Sequence, residues 1–167
     1  MVDKKLGGFR AIIDLKRLNL HVSCPHFKME TTQSILKSLR QGYLVICFDL
    51  SDAYLQIPIH AKSQHLLRFV VDGKVFQYTA LCFGLSPSPL MFTKVMKPIA
   101  AYLWSRGIHI HLYLDDWLIR AESKEKVLQD AQVVLNLISD LGLLLNVEKS
   151  TLFRTQNLVY FGGGYRS

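Results

Sequence analysis

Hydrophobic and polar positions in this chain follow two spacings, a period of two and a period near 3.6, broken by glycine and proline. Phe9-Arg10-Ala11-Ile12-Ile13-Asp14 reads as a strand entered from a Gly7-Gly8 turn, and Pro25 falls in a loop. Thr31 to Leu39 predicts a short helix with Ile35, Leu36 and Leu39 on one face, ended by Gly42. Tyr43 to Phe48 is a continuous apolar run, the pattern of a strand buried on both faces. Leu66–Val71 and Lys74–Thr79 flank Asp72-Gly73, a strong hairpin signal. Pro87 and Pro89 open a helix expected to run to about Arg106, with Gly107 as its stop. Ile108–Leu112 and Trp117–Ile119 read as strands facing each other across residues 113–116. Ser123 can cap a helix striped by Val127, Ala131, Val134, Ile138 and Leu141 and closed by Gly142. Strands near Leu144–Val147 and Leu158–Phe161 complete the pattern.

This order predicts an α+β domain with helices packed on one face of an antiparallel sheet. At 167 residues, half of them apolar, the chain suits one domain with a substantial core. There is no internal repeat, linker, membrane-length apolar run or signal-peptide pattern, which predicts an intracellular protein without a membrane partner. Strong patterning at both ends makes it read as a piece of a longer chain.

Composition adds one clue. The net charge is +7, and residues 1–40 carry eight Lys or Arg against Asp3, Asp14 and Glu30, so +5 of it lies in the first quarter. Such a face suits a polyanion, and equally a solvated surface. Cys24, Cys47 and Cys82 have neither disulfide-framework nor zinc spacing. His109 and His111 fall on one strand face, but with no third ligand in view they read as packing or surface residues.

The chemistry lies in the carboxylates. Asp49 directly follows the buried strand, where a charge must be hydrogen-bonded, paired or bound to a cation. Asp115-Asp116 is hemmed in by Ile110-His111-Leu112-Tyr113-Leu114 and Trp117-Leu118-Ile119. Aspartate is common in turns, but a plain hairpin turn favours Gly or Asn beside it, and adjacent carboxylates repel unless neutralised. Brought together on neighbouring strands, the three would form a hard oxygen site suited to Mg²⁺. Spacing alone leaves both the turn and the metal site open.

Six ordered motifs, covering nearly the whole chain, resemble reverse transcriptases. Asp49-Leu50-Ser51-Asp52-Ala53-Tyr54 resembles their first catalytic motif, and Tyr113-Leu114-Asp115-Asp116 their YxDD box. Phe83-Gly84-Leu85-Ser86-Pro87-Ser88-Pro89 resembles the motif that opens the long palm helix, and residues 8–19, Gly8 to Asn19, the fingers motif. Leu141-Gly142-Leu143 with Lys149, then Tyr160-Phe161-Gly162, resemble the motifs leading toward the thumb. Phe83, where retroviral enzymes usually carry Gln, and Trp117 point to retrotransposons of gypsy or DIRS type. The resemblance implies a polymerase palm, its antiparallel sheet backed by helices, with partial fingers and no thumb. Residues 43–54 and 83–167 would be palm, and about 1–42 and 55–82 fingers or the junction.

It also implies residue roles. Asp49, Asp115, Asp116 and the Leu50 carbonyl would hold two Mg²⁺ ions, with Mn²⁺ as a substitute, for nucleotidyl transfer from dNTP to a primer 3′ end on an RNA or DNA template. Lys149 would be the general acid toward pyrophosphate. Tyr54 would exclude a 2′-hydroxyl, Phe83 and Gly84 would line the nucleotide pocket, and Asp52 and Ala53 would present backbone N–H groups. Arg10, Lys4 and Lys5 would meet the triphosphate, although Leu6 stands where relatives often have Asp. Weak primer–template binding and poor extension are expected of these residues alone, without the thumb and RNase H regions of a longer polyprotein. The rival is a catalytically inactive nucleic-acid-binding remnant. A small metal-dependent hydrolase lacks an evident base.

Overall fold

The computed structural model describes residues 2–3, 9–10, 12–28, 35 and 42–154. In chain order its elements begin with β1 (Val2–Asp3), β2 (Phe9–Arg10), α1 (Lys16–Asn19) and β3 (Leu44–Leu50). A 3₁₀ turn (Ala53–Gln56), α2 (Ala61–Gln64), a second 3₁₀ turn (His65–Leu67) and the hairpin of β4 (Arg68–Val71) and β5 (Lys74–Gln77) follow. The last part holds α3 (Ser88–Ser105), the hairpin of β6 (His109–Tyr113) and β7 (Asp116–Ala121), α4 (Lys124–Asp140) and β8 (Leu145–Arg154). This is the expected α+β class. The chain divides into two compact units, residues 1–27 with 54–92, and residues 28–53 with 93–167.

The second unit is built on a four-stranded antiparallel sheet in the order β6-β7-β3-β8. Val45, Cys47 and Leu118 share a buried cluster with Ile35, which is helical, and with the half-buried Tyr113. The helix α4 packs along β7 and β3 and buries Val127, Ala131, Val134 and Ile138, the stripe expected from the sequence. Leu141, assigned to the same stripe, sits past the last turn and is 49% exposed. Asp130 is buried on this helix and neutralised by Lys126 one turn earlier. Both caps form: the Ser123 hydroxyl accepts from the Lys126 amide at 3.1 Å, and Gly142 takes φ +69° as Leu143 N–H returns to the Ile138 carbonyl. Trp104 of α3 donates its indole N–H to the Ile110 carbonyl at 2.8 Å, tying that helix to β6.

In the first unit, Leu15, Leu67 and Cys82 form a small core with Ile13, Leu18, Ile59, Tyr78 and Leu85. Asp72 and Gly73 both have positive φ, as a two-residue hairpin turn with matched twist requires. The strand expected over Phe9–Asp14 is shorter. Among the described residues Phe9–Arg10 pair with β1, residues 12–15 form no strand, and Asp14 accepts from the Lys16 amide at 3.0 Å just ahead of α1.

The predicted helix over Thr31–Leu39 lies, apart from Ile35, outside the described residues, as does the strand expected near Leu158–Phe161. Among the described residues no helix is long and apolar enough to cross a membrane.

Candidate active site

The strand β3 runs on past Phe48, so Asp49 is a member of the sheet rather than a residue beyond its edge. Pairing of β3 with β7 sets Asp49 directly opposite Asp116, and pairing of β6 with β7 sets Tyr113 opposite Asp116 on the other side. Leu114 and Asp115 form the two-residue turn between β6 and β7. The Leu50 amide donates to the Asp115 carbonyl at 2.8 Å, fastening this turn to the end of β3. Ser51 N–H in turn reaches the Leu144 carbonyl at 2.8 Å.

Two features argue against an ordinary hairpin turn. Leu114 has φ +53°, a conformation in which a branched apolar residue is strained and Gly or Asn is favoured. Directly opposed positions bring Cβ atoms to about 4.5–5.5 Å, where like charges destabilise a sheet. Selection for fold stability alone would leave neither an Asp49–Asp116 pair nor a leucine at that turn position.

The strand β8 supplies the neighbouring cation. Its pairing with β3 holds Cys47 against Thr151 and then slips, so that Asp49 faces Asn146 and residues 147–150 bulge opposite Phe48. Ser150 Oγ donates to the Asn146 carbonyl at 2.8 Å and accepts from the Asp49 amide at 3.3 Å. Asn146 Oδ1 accepts from the Lys149 amide at 3.3 Å. The bulge places Lys149 Nζ 3.9 Å from Asp49 Oδ1. Asn146 and Ser150 escaped the sequence reading, which ended this strand near Val147, because a bulge has no local hydrophobic signature.

Burial, then the charge of Asp115, then that of Asp49 push the Asp116 carboxyl up to about 7, and Lys149 opposes the shift. The donors are carboxylate oxygens, the ligand class of Mg²⁺, and their mutual repulsion is what a bound cation relieves. Among the described residues, no three His, Cys, Asp or Glu side chains form a group that could hold a metal ion as they stand. The donor chemistry therefore fits a hard divalent cation, without a closed ligand set.

The raised Asp116 carboxyl has a consequence for stability. The folded chain keeps a proton that the unfolded chain releases near 3.8, so Asp116 disfavours folding increasingly as pH rises from 3.8 to about 7. Asp116→Asn is expected to remove that part of the pH dependence. The metal-free variant should be more heat-stable than the parent at pH 8, by roughly 3 °C or more, with the two converging near pH 4. Melting curves from pH 4 to 8 test this, and a variant less stable at pH 8 would refute it.

The first unit holds other residues singled out from the sequence. The Tyr54 ring is buried, with its centroid 5.0 Å from Phe83 and 5.6 Å from Phe92. Two residues expected at the nucleotide are thus in contact. Gly84 adopts φ +96°, and a Cβ there would stand 2.6 Å from the Ile13 carbonyl oxygen. Asn19 also touches this loop, and it had no assigned role. In the second unit, Asp52 is exposed at φ +46°, and Ala53 begins the first 3₁₀ turn. Lys4 and Lys5 lie outside the described residues; Arg10 is placed in β2, with only its backbone described. His109 and the buried His111 both pack edge-on against Trp104, in keeping with a packing role.

Comparison with known proteins gives a consistent result. The family model described as reverse transcriptase (RNA-dependent DNA polymerase) matches residues 2–163. The Transposon Tf2-3 and Tf2-7 polyproteins of Schizosaccharomyces pombe are 26% and 25% identical over 155 residues. In each case 93% of this chain is covered, and the chain spans 12% of the relative's length. Among solved structures, a foamy viral protease–reverse transcriptase in complex with double-stranded DNA matches with TM-score 0.83 and 26% identity, over 96% of this chain and 28% of that one. The foamy viral enzyme in complex with an RNA/DNA hybrid matches with TM-score 0.74 and 26% identity, over 86% of this chain and 19% of that one. A match that runs almost from end to end, with the opposed aspartates inside it, means that this chain belongs to the reverse transcriptase (RNA-dependent DNA polymerase) family.

Proposed function

We propose that this chain carries the catalytic centre of a retrotransposon RNA-directed DNA polymerase, which adds dNTPs to a primer 3′ end by two-metal-ion nucleotidyl transfer. The observation that carries the reading is the register: Asp49 opposite Asp116, with Asp115 in the adjoining turn, a costly placement that a cation would relieve. In this reading residues 43–54 and 83–167 supply the palm. The partners are an RNA or DNA template with its primer, by analogy with the nucleic-acid complexes of the foamy viral enzyme. The thumb and RNase H regions would belong to a longer polyprotein of the kind the relatives represent.

Asp49, Asp115, Asp116 and the Leu50 carbonyl would hold two Mg²⁺ ions, or Mn²⁺ in their place. Bound there, the ions would activate the primer hydroxyl and neutralise charge on the triphosphate and leaving pyrophosphate. Lys149, with Nζ 3.9 Å from Asp49 Oδ1, would be the general acid toward the leaving pyrophosphate. Arg10, with Lys4 and Lys5, would meet the phosphates through charge-assisted hydrogen bonds, and Asp52 and Ala53 would add backbone N–H groups. Tyr54, Phe83 and Gly84 would receive the nucleotide, with the Tyr54 ring rejecting a 2′-hydroxyl.

Primer extension with Mg²⁺ and dNTPs tests the reading, on this chain and on a longer polypeptide that contains it. Primer–template binding without extension by either would favour the inert remnant. For Tyr54, the Tyr54→Ala variant is expected to lower the preference for dNTP over the ribonucleotide by tenfold to about a hundredfold. The measurement is the ratio of the two kcat/KM values, in which general damage from losing a buried ring cancels. An unchanged ratio would remove the gate.

A further inference from the structure

Asn19 closes α1, yet both polar ends of its side chain serve a loop more than sixty residues away in the sequence. Its Nδ2 donates to the Gly84 carbonyl at 2.8 Å, and its Oδ1 accepts from the Ser86 amide at 2.9 Å. A carboxamide suits the task because one rigid planar group offers a donor and an acceptor side by side. A carboxylate of that length has no donor for the Gly84 carbonyl and cannot satisfy both backbone groups at once.

The same loop is restrained elsewhere. Gly84 passes so close to the Ile13 carbonyl that a Cβ would be 2.6 Å from its oxygen. The Ser88 hydroxyl, itself 1% exposed, donates to the Cys82 carbonyl at 2.9 Å, just where α3 begins. Between these anchors stands Phe83, its ring against Tyr54.

We propose that Asn19 is a positioning residue for nucleotide binding: by gripping Gly84 and Ser86, it fixes the place of Phe83 and Gly84 without touching the nucleotide itself. The inference rests on the reading of Tyr54, Phe83 and Gly84 as nucleotide-binding residues. The grip also explains why an asparagine at the end of a four-residue helix is bound into the fold rather than left to solvent.

The test uses a polymerase polypeptide that contains this chain, with Asn19→Ala and Asn19→Asp. Asn19→Asp keeps the acceptor for Ser86 but sets a carboxylate oxygen against the Gly84 carbonyl, so it loses the donor with little change of shape. Both variants should exchange the Gly84–Ser86 backbone amides faster than the parent, while amides of α4 exchange unchanged. Their KM for dNTP should rise on the order of tenfold, with kcat within about threefold. Should Asn19→Ala fail to fold, Asn19→Asp carries the same readouts.

Unchanged exchange at residues 84–86 would overturn the grip itself, whatever the kinetics. Faster exchange with unchanged KM would overturn the positioning role. Phe83→Ala then distinguishes the cause: if it too leaves KM unchanged, the nucleotide reading of this loop has failed, and if it raises KM, only Asn19's influence has failed.

Discussion

Replacing Asp115 and Asp116 together by asparagine is expected to lower template-directed primer extension by about a thousandfold or more. The size follows from the charge these groups would balance. Divalent cations contribute several kcal/mol of charge stabilisation in the transition state, and each ~1.4 kcal/mol is a factor of ten in rate. The double variant leaves Asp49 as the sole carboxylate of the three, beside a lysine 3.9 Å away. Asparagine matches aspartate in shape, so the turn and the hydrogen bond from the Leu50 amide to the Asp115 carbonyl should survive. Burial and mutual repulsion push Asp116 up to about 7, so removing its charge should also make the metal-free protein more stable above that pH. Activity and stability thus move in opposite directions, which a merely structural role for these residues would not produce. Single-turnover extension, measured beside a melting curve and primer–template affinity, separates the cases. Equal extension by parent and variant would sink the catalytic assignment.

The parts of this fold that could be read from the sequence are those that rest on local chemistry. Asp72-Gly73 marked a hairpin, and both residues adopt positive φ. Ser123 and Gly142 marked the ends of a helix, and both caps are made. The three aspartates were legible as candidates because carboxylates beside apolar strands need a partner. Their arrangement was not. That Asp116 faces Asp49 is a matter of strand register, decided by where long-range pairing settles. The bulge at residues 147–150, which brings Lys149 to Asp49, and the reach of Asn19 to Gly84 are also long-range events. Local pattern misled over Phe9–Asp14, where a strand-like run suggested one strand, whereas residues 12–15 leave it and the Asp14 side chain holds the Lys16 amide just ahead of a helix.

Gly84→Ala is expected to destabilise the protein by about 3 kcal/mol and to raise KM for dNTP well beyond tenfold. Two costs combine at this position. At φ +96° the backbone lies where L side chains rarely go, and the added methyl would meet the Ile13 carbonyl oxygen at 2.6 Å. The second cost is the larger, because the obstacle is backbone and cannot swing aside as a flexible side chain would. Gly107 provides the control: its φ is +75°, and a Cβ there would meet nothing within 4 Å. Gly107→Ala should therefore show the conformational cost alone, about 1 kcal/mol, and leave nucleotide kinetics unchanged. Relief of the clash would have to come from moving residues 83–86 away from Ile13, which would pull on both hydrogen bonds from Asn19 and on the contact of Phe83 with Tyr54. Kinetic damage in Gly84→Ala that exceeds what its loss of stability explains, measured well below its melting temperature, would mark this loop as part of the nucleotide site. Equal melting temperatures and equal KM in Gly84→Ala and Gly107→Ala would show that the close approach to Ile13 matters neither to the fold nor to nucleotide binding.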